Sequence, residues 1–208
     1  MPLTASAGVS SPQSSFINVH MQSFKSGHTT VFVSPIPERQ KLTRRQNERA
    51  TVREMLDTIF PGAKIDHDSD DRPFLTGIDN PPFISISHSR AYAAIAIDST
   101  RRIGVDIEDE GRNGQLDKLA RRFIGEDEQS MITTEFTLLH AWTAKESAYK
   151  ATDDQNGLTV PALRLDGYTL EFFNVPGSLV CVAWKSRKMR VKSRKSNDEE
   201  SDLSDLSD

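Results

Sequence analysis

The chain changes period around one short acidic string, and that limits what it can fold into. Gly104-Val105-Asp106-Ile107-Glu108 alternates apolar with acidic residues, the two-residue period of a strand. Its carboxylates therefore share one face and its branched side chains the other. About forty residues later, Trp142-Thr143-Ala144-Lys145-Glu146-Ser147-Ala148-Tyr149-Lys150 repeats at helical spacing. Trp142, Glu146 and Tyr149 fall at i, i+4 and i+7, so a third carboxylate lies on the aromatic face of a helix, a costly place for an unpartnered charge. Each string alone also has an ordinary reading, as the wet face of an amphipathic sheet or as an i,i+4 Glu146–Lys150 pair. Together they offer three carboxylates from a strand and a helix, with Lys150 one turn on, which makes a hard-oxygen site for Mg²⁺.

The flanking sequence supplies strands and helices in separate runs. Residues 16–34 alternate loosely, with Thr30-Val31-Phe32-Val33 as an opening strand or two, stopped by Pro35 and Pro37. Thr43 with Gln46 has the form of a capping box, and Val52, Met55, Leu56 and Ile59 make the stripe of a helix ending near Pro61-Gly62. Arg45, Arg49 and Arg53 fall four apart on that helix, with Arg39, Lys41 and Arg44 at or before its start. They form either a solvated basic face or a place for phosphate near a helix N-terminus. Residues 63–71 read as a polar loop before Arg72-Pro73-Phe74-Leu75, and 83–87, 92–97 and 104–108 as a three-stranded antiparallel meander. A short helix over 116–123 with Gly125 as C-cap, a longer helix over 135–152, and strands over 159–165, 168–173 and 179–184 complete the pattern. This predicts an α+β fold. Cys181, in an apolar strand run, is the single cysteine, which leaves no disulfide framework or cysteine metal site.

The two strings resemble the signature motifs of the 4'-phosphopantetheinyl transferases, G-(V/I)-D-x-E on a strand and W-(S/T)-x-K-E-(S/A)-x-x-K on a helix. Ile84-Ser85-Ile86-Ser87-His88-Ser89 is similar to the family's strand-ending Ser-His-Ser, and Arg72-Pro73 to its basic-Pro element. The resemblance covers about residues 39–165. Thr143 where serine is common and Asp71 where glycine is common are departures. The resemblance implies two similar α+β halves in a pseudo-twofold arrangement, with the active site in the cleft between them. It implies transfer of the phosphopantetheine arm of coenzyme A to a serine of an apo acyl or peptidyl carrier protein, releasing 3',5'-ADP, by a monomer. Asp106, Glu108 and Glu146 would hold Mg²⁺ together with diphosphate oxygens. Glu146, or a water it orients, would take the serine proton, and Lys150 would lie over the diphosphate. Ser87, His88, Arg72 and Arg49 would contact the nucleotide phosphates. The corresponding plan is a flexible leader over 1–15, an N-terminal half over 16–98, a C-terminal half with the metal site over 99–185, and a tail over 186–208.

Charge and hydropathy bound the remaining classes. With 36% hydrophobic and 27% charged residues and no long apolar run, the composition is that of a soluble protein without a membrane span. Residues 1–15 lack the basic start and apolar stretch of a secretory signal, so the expected location is the cytoplasm. The net charge of -4 hides two blocks: residues 185–195 hold seven bases and no acid, residues 198–208 six acids and no base. Blocks of this kind read as disordered rather than as a nucleic-acid site. A metal nuclease fits the acids but lacks the usual carboxylate-x-lysine pair on a strand, since Glu146 and Lys150 are four apart on a helix. The non-enzyme alternatives are an inactive relative that binds coenzyme A or a carrier protein, and a nucleic-acid module built on the basic tail. The presence of all three acids argues against loss of activity.

Overall fold

The computed structural model describes residues 21–153, 155 and 157–186. The expected leader and the charged stretch beyond residue 186 lie outside the described residues. Strands β1 (Gln22–Ser26) and β2 (Thr29–Pro35) form a hairpin. Helix α1 (Arg44–Ile59) begins where its capping box predicts: Thr43 Oγ1 accepts the Gln46 N–H at 3.3 Å and Gln46 Oε1 accepts the Thr43 N–H at 2.8 Å. It closes at Phe60, just before Pro61. Strands β3 (Lys64–His67) and β4 (Pro73–Thr76) pair as a small separate hairpin, and β3 lies within the stretch 63–71 that the sequence suggested was a polar loop. At four residues each, they are too short for alternation to register.

Strands β5 (Phe83–His88) and β6 (Tyr92–Asp98) pair antiparallel as expected, but β7 (Gly104–Asp109) does not complete their meander. The first sheet runs β1-β2-β6-β5, so both edges of β6 are already taken and no ladder bonds remain for a third neighbour. After the 3₁₀ turn Glu110–Arg112 come α2 (Asn113–Phe123) and α3 (Leu138–Ala151). Strands β8 (Tyr168–Val175) and β9 (Ser178–Lys185) follow, and the second sheet has the order β7-β9-β8. Two other expectations fail. The strand over 159–165 is instead a 3₁₀ turn at Val160–Ala162, where Pro161 supplies no N–H for a ladder. Gly125, at φ -69°, is not a left-handed cap; its N–H donates to Glu128 Oε2 at 2.9 Å as it opens the 3₁₀ segment Glu126–Met131.

The α+β class holds, as layers of helix, sheet, sheet and helix. Ala94 and Ala96 of β6, with Val31 and Val33 of β2, pack against Val105 and Ile107 of β7 and Val180 and Val182 of β9. On the other face of the first sheet, Ala93 and Ile95 meet Val52, Met55 and Leu56 of α1. On the other face of the second, Cys181 and Ala183 meet Ala144, Ala148 and Ala151 of α3. Alternation along β7 therefore turns Asp106 and Glu108 away from the core and toward the α3 layer. Gly104 lets α3 lie directly on this strand: a Cβ there would stand 1.9 Å from Ser147 O and 2.8 Å from Lys150 Cβ.

The two sheets also meet edge to edge. The outer edge of β5 faces β7 without a backbone ladder, and two serine hydroxyls bridge the gap. Ser85 Oγ accepts the Val105 N–H at 3.0 Å, and Ser87 Oγ donates to Asp106 Oδ1 at 2.7 Å. The polar positions of the Ile84-Ser85-Ile86-Ser87 string thus place the acidic strand.

Candidate active site

Asp106 is the centre of the seam. Besides the Ser87 hydroxyl, its Oδ1 accepts from Lys150 Nζ at 2.9 Å, and the same ammonium donates to Val105 O at 2.9 Å. Its Oδ2 is buried and has no partner. Glu108, two residues along the same face, accepts on Oε1 from Trp142 Nε1 at 2.8 Å and from Arg112, whose guanidinium also lies over the Trp142 ring. Burial, reinforced by the charge of Asp106, pushes the Glu108 carboxyl above its ordinary value, against the pull of Arg112. Glu146 is raised as well, first by burial, then by the Asp106 charge, with Lys150 opposing and Glu108 adding. The three carboxylates expected from the sequence therefore act on one another electrostatically, from one strand and one helix.

They do not form a preformed cage. Among the described residues, no three His, Cys, Asp or Glu side chains stand close enough together to hold a metal ion. The chain's own cations occupy the carboxylates instead, Lys150 on Asp106 and Arg112 on Glu108. The donor set nevertheless fits a divalent ion: a buried carboxylate oxygen without a partner, two acids raised by burial and then by neighbouring negative charge, and hard oxygens throughout.

His88 ends β5 with its side chain half exposed, and its Nε2 lies 3.6 Å from Oε2 of the buried Glu48, which also holds Arg44 at 2.8 Å. It borders an open groove of about 1230 Å³ between α1 and the β3–β4 hairpin, walled by Arg45, Arg49, Arg53, Lys64 and His67. Arg49 and Arg45 are exposed and enter no ion pair among the described residues. Arg39, by contrast, is spent on α1, with Nη1 on Thr51 and Nη2 on Glu54. A smaller pocket of about 330 Å³ shares Asp71, Pro73 and Ile86 with the groove and reaches Tyr149 and Lys150, so the cleft runs from the basic groove to the acidic seam. Arg72 differs from the sequence expectation. It lines the smaller pocket and its Nε has no partner, but its two Nη groups donate to Thr152 O and Asp153 O, beyond the end of α3.

Three residues that matter here escaped sequence reasoning. Trp142 stood in the helix motif with no partner assigned; it presents its indole N–H to Glu108, while its ring packs edge-on against Phe123 at 5.2 Å. Arg112 lies between motifs with no signal beyond its i,i+4 spacing from Glu108. Lys145 stands beside Glu146 in the string but points the other way. It is 1% exposed, with Nζ 2.8 Å from Glu128 Oε2 and 3.2 Å from Pro161 O. Its signal was the helical spacing, which places Lys145 off the Trp142–Glu146–Tyr149 face.

Residues 102–190 match the family described as the 4'-phosphopantetheinyl transferase superfamily. The chain is also similar to the 4'-phosphopantetheinyl transferase HetI of Nostoc sp. (strain PCC 7120 / SAG 25.82 / UTEX 2576), 31% identical over 105 residues. That match takes in 46% of this chain and 44% of the relative, so the chain spans less than half the length of the curated relative it matches.

Proposed function

We propose that the chain is a 4'-phosphopantetheinyl transferase, moving the 4'-phosphopantetheine arm of coenzyme A to a serine of an apo acyl or peptidyl carrier protein; the match of residues 102–190 to that superfamily and the similarity to HetI support the reading. The reading takes residues 16–98 and 99–185 as two α+β halves of a cytoplasmic monomer, with the reaction in the cleft between them. No helix among the described residues is long and apolar enough to cross a membrane.

In this reaction the carrier serine oxygen attacks the phosphorus that bears pantetheine. A new P–O bond forms, the bond to the bridging oxygen breaks, and 3',5'-ADP leaves. Mg²⁺ held by Asp106, Glu108 and Glu146 would neutralise diphosphate oxygens. Glu146 takes the serine proton on its carboxylate, and burial beside Asp106 makes it the stronger base by raising its proton affinity. Lys150 reaches the pocket from the last turn of α3 and offers its ammonium to the departing phosphate. Ser87 orients Asp106 through its hydroxyl. His88 and Arg49, on the groove wall, receive the nucleotide phosphates. Arg72 is left out of that phosphate set because both arms of its fork are committed to backbone carbonyls.

One observation carries this reading: Lys150, paired with the buried Asp106 beside Glu108 and the part-buried Glu146, lines a pocket that adjoins a groove rich in arginine. The test is incubation of the protein with coenzyme A, Mg²⁺ and a panel of apo carrier proteins, followed by mass spectrometry. The expected result is a carrier heavier by one phosphopantetheine arm. Failure of every carrier to gain it removes the proposal.

A further inference from the structure

Arg72 belongs to the first sheet's side of the molecule by sequence and to the second by its contacts. It leaves a tight loop over residues 68–72 in which Asp68 Oδ1 accepts the N–H groups of Asp70 and Arg72, both at 3.0 Å. The Asp71 N–H donates to Asp68 O at 3.0 Å, and Asp71 itself sits at φ +59°, a left-handed conformation that Asp adopts more readily than most other non-glycine residues. From there the guanidinium spans the cleft. Nη2 donates to Thr152 O at 2.8 Å and Nη1 to Asp153 O at 2.9 Å, the carbonyls just past the last residue of α3. These carbonyls follow directly on the negative end of the helix dipole, and the rigid fork of an arginine can answer both at once. Arg72 is 9% exposed, so few other placements are open to it.

We infer that Arg72 is a positioning residue: a strap from the β3–β4 hairpin that fixes the end of α3 and so sets where Lys150 and Glu146 stand in the cleft. This rests on the transferase reading. Lys150 is only two residues before Thr152, and its bonds to Val105 O and Asp106 Oδ1 require α3 to end at one height over β7. The same hairpin contributes Lys64, His67 and Pro73 to the basic groove, so the strap ties the groove wall to the helix that does the chemistry.

Arg72→Lys keeps the charge and loses the fork. Its kcat is expected to fall about tenfold or more, because small misplacement of reacting groups is costly. The Kd of coenzyme A by calorimetry with Mg²⁺ present should stay within about twofold, because a helix strap is not a ligand contact. Backbone hydrogen exchange over the end of α3 should speed up about tenfold, since local opening becomes easier. Asp68→Ala, which loosens the loop and leaves Arg72 in place, gives the same pattern more weakly and serves if the first variant does not fold. A Kd weakened about tenfold with kcat retained would mark Arg72 as a phosphate ligand and overturn the inference. A lowered Tm with kcat and Kd both unchanged overturns it too, leaving a strut without a part in the reaction. Hydrogen exchange is read on the free protein. If wild type modifies no carrier while exchange still rises in Arg72→Lys, the transferase reading falls and the strap stands; unchanged exchange removes the strap whatever the activity.

Discussion

The two ends of the cleft carry charge in opposite ways. In the groove, Arg45 and Arg49 project into an open space of about 1230 Å³ and enter no ion pair among the described residues. At the seam every charge is partly desolvated and, Glu146 apart, tied: Asp106 to Lys150 and Ser87, Glu108 to Arg112 and Trp142. Exposed cations attract an anion over distance and lose that attraction to salt. Desolvated groups hold a fixed geometry, and their proton affinities shift. The groove is thus suited to capture and the seam to chemistry.

Glu146→Gln separates the two ends most sharply. Transfer should drop by about 10²–10⁴-fold, the usual scale for removing a positioned base. The fold should not suffer. A carboxyl whose folded pKa is raised opposes folding in its ionised form, so stability is lost as pH climbs from the ordinary value of 4.5 through the raised folded value and is regained as pH falls back. At neutral pH the glutamine variant should therefore match or exceed wild type in Tm, and the difference should shrink as pH falls toward the ordinary carboxyl value of 4.5. Thermal melts across that range check the sign; a clearly lower Tm at neutral pH would show that Glu146 is a structural acid.

Trp142→Phe tests the seam's second support. It keeps an aromatic ring against Phe123 and removes the indole donor to Glu108. Mg²⁺ affinity, read by calorimetry, should fall about 10–100-fold, as is usual when a metal ligand loses its orienting partner. Coenzyme A binding without metal should be unaffected.

Arg49→Ala addresses the groove alone and has the smallest effect. The KM for coenzyme A should rise about tenfold, the scale of one charge-assisted hydrogen bond, with kcat unchanged. Added salt should raise the wild-type KM and narrow the gap between the two proteins. A fall in kcat instead would mean that groove and seam are not separable in this way.

Much of the seam could be read from the chain because its determinants are local. Period-two spacing puts Asp106 and Glu108 on one face, helical spacing brings Glu146 and Lys150 to the site, and a capping box starts α1. What stayed hidden depends on contacts between distant segments. The edges of β6 are filled by β2 and β5, which sends β7 to β9, and nothing within residues 92–108 records that. The same holds for Lys145, whose partner Glu128 lies in an irregular 3₁₀ segment, and for Arg72, whose acceptors are carbonyls some eighty positions away. Pro161 was a visible warning against a strand over 159–165, and its missing donor decided the outcome.

Gly104 acts as the shim between strand and helix. With a hydrogen for a side chain it lets Lys150 drop onto the carbonyl of the very next residue, Val105. Any thicker residue at that position would jack α3 upward, lifting the ammonium and the Glu146 acid together off the floor of the site. The tolerance of the helix–strand contact is thus about the width of a methyl group, and it is set by a residue with no side chain of its own.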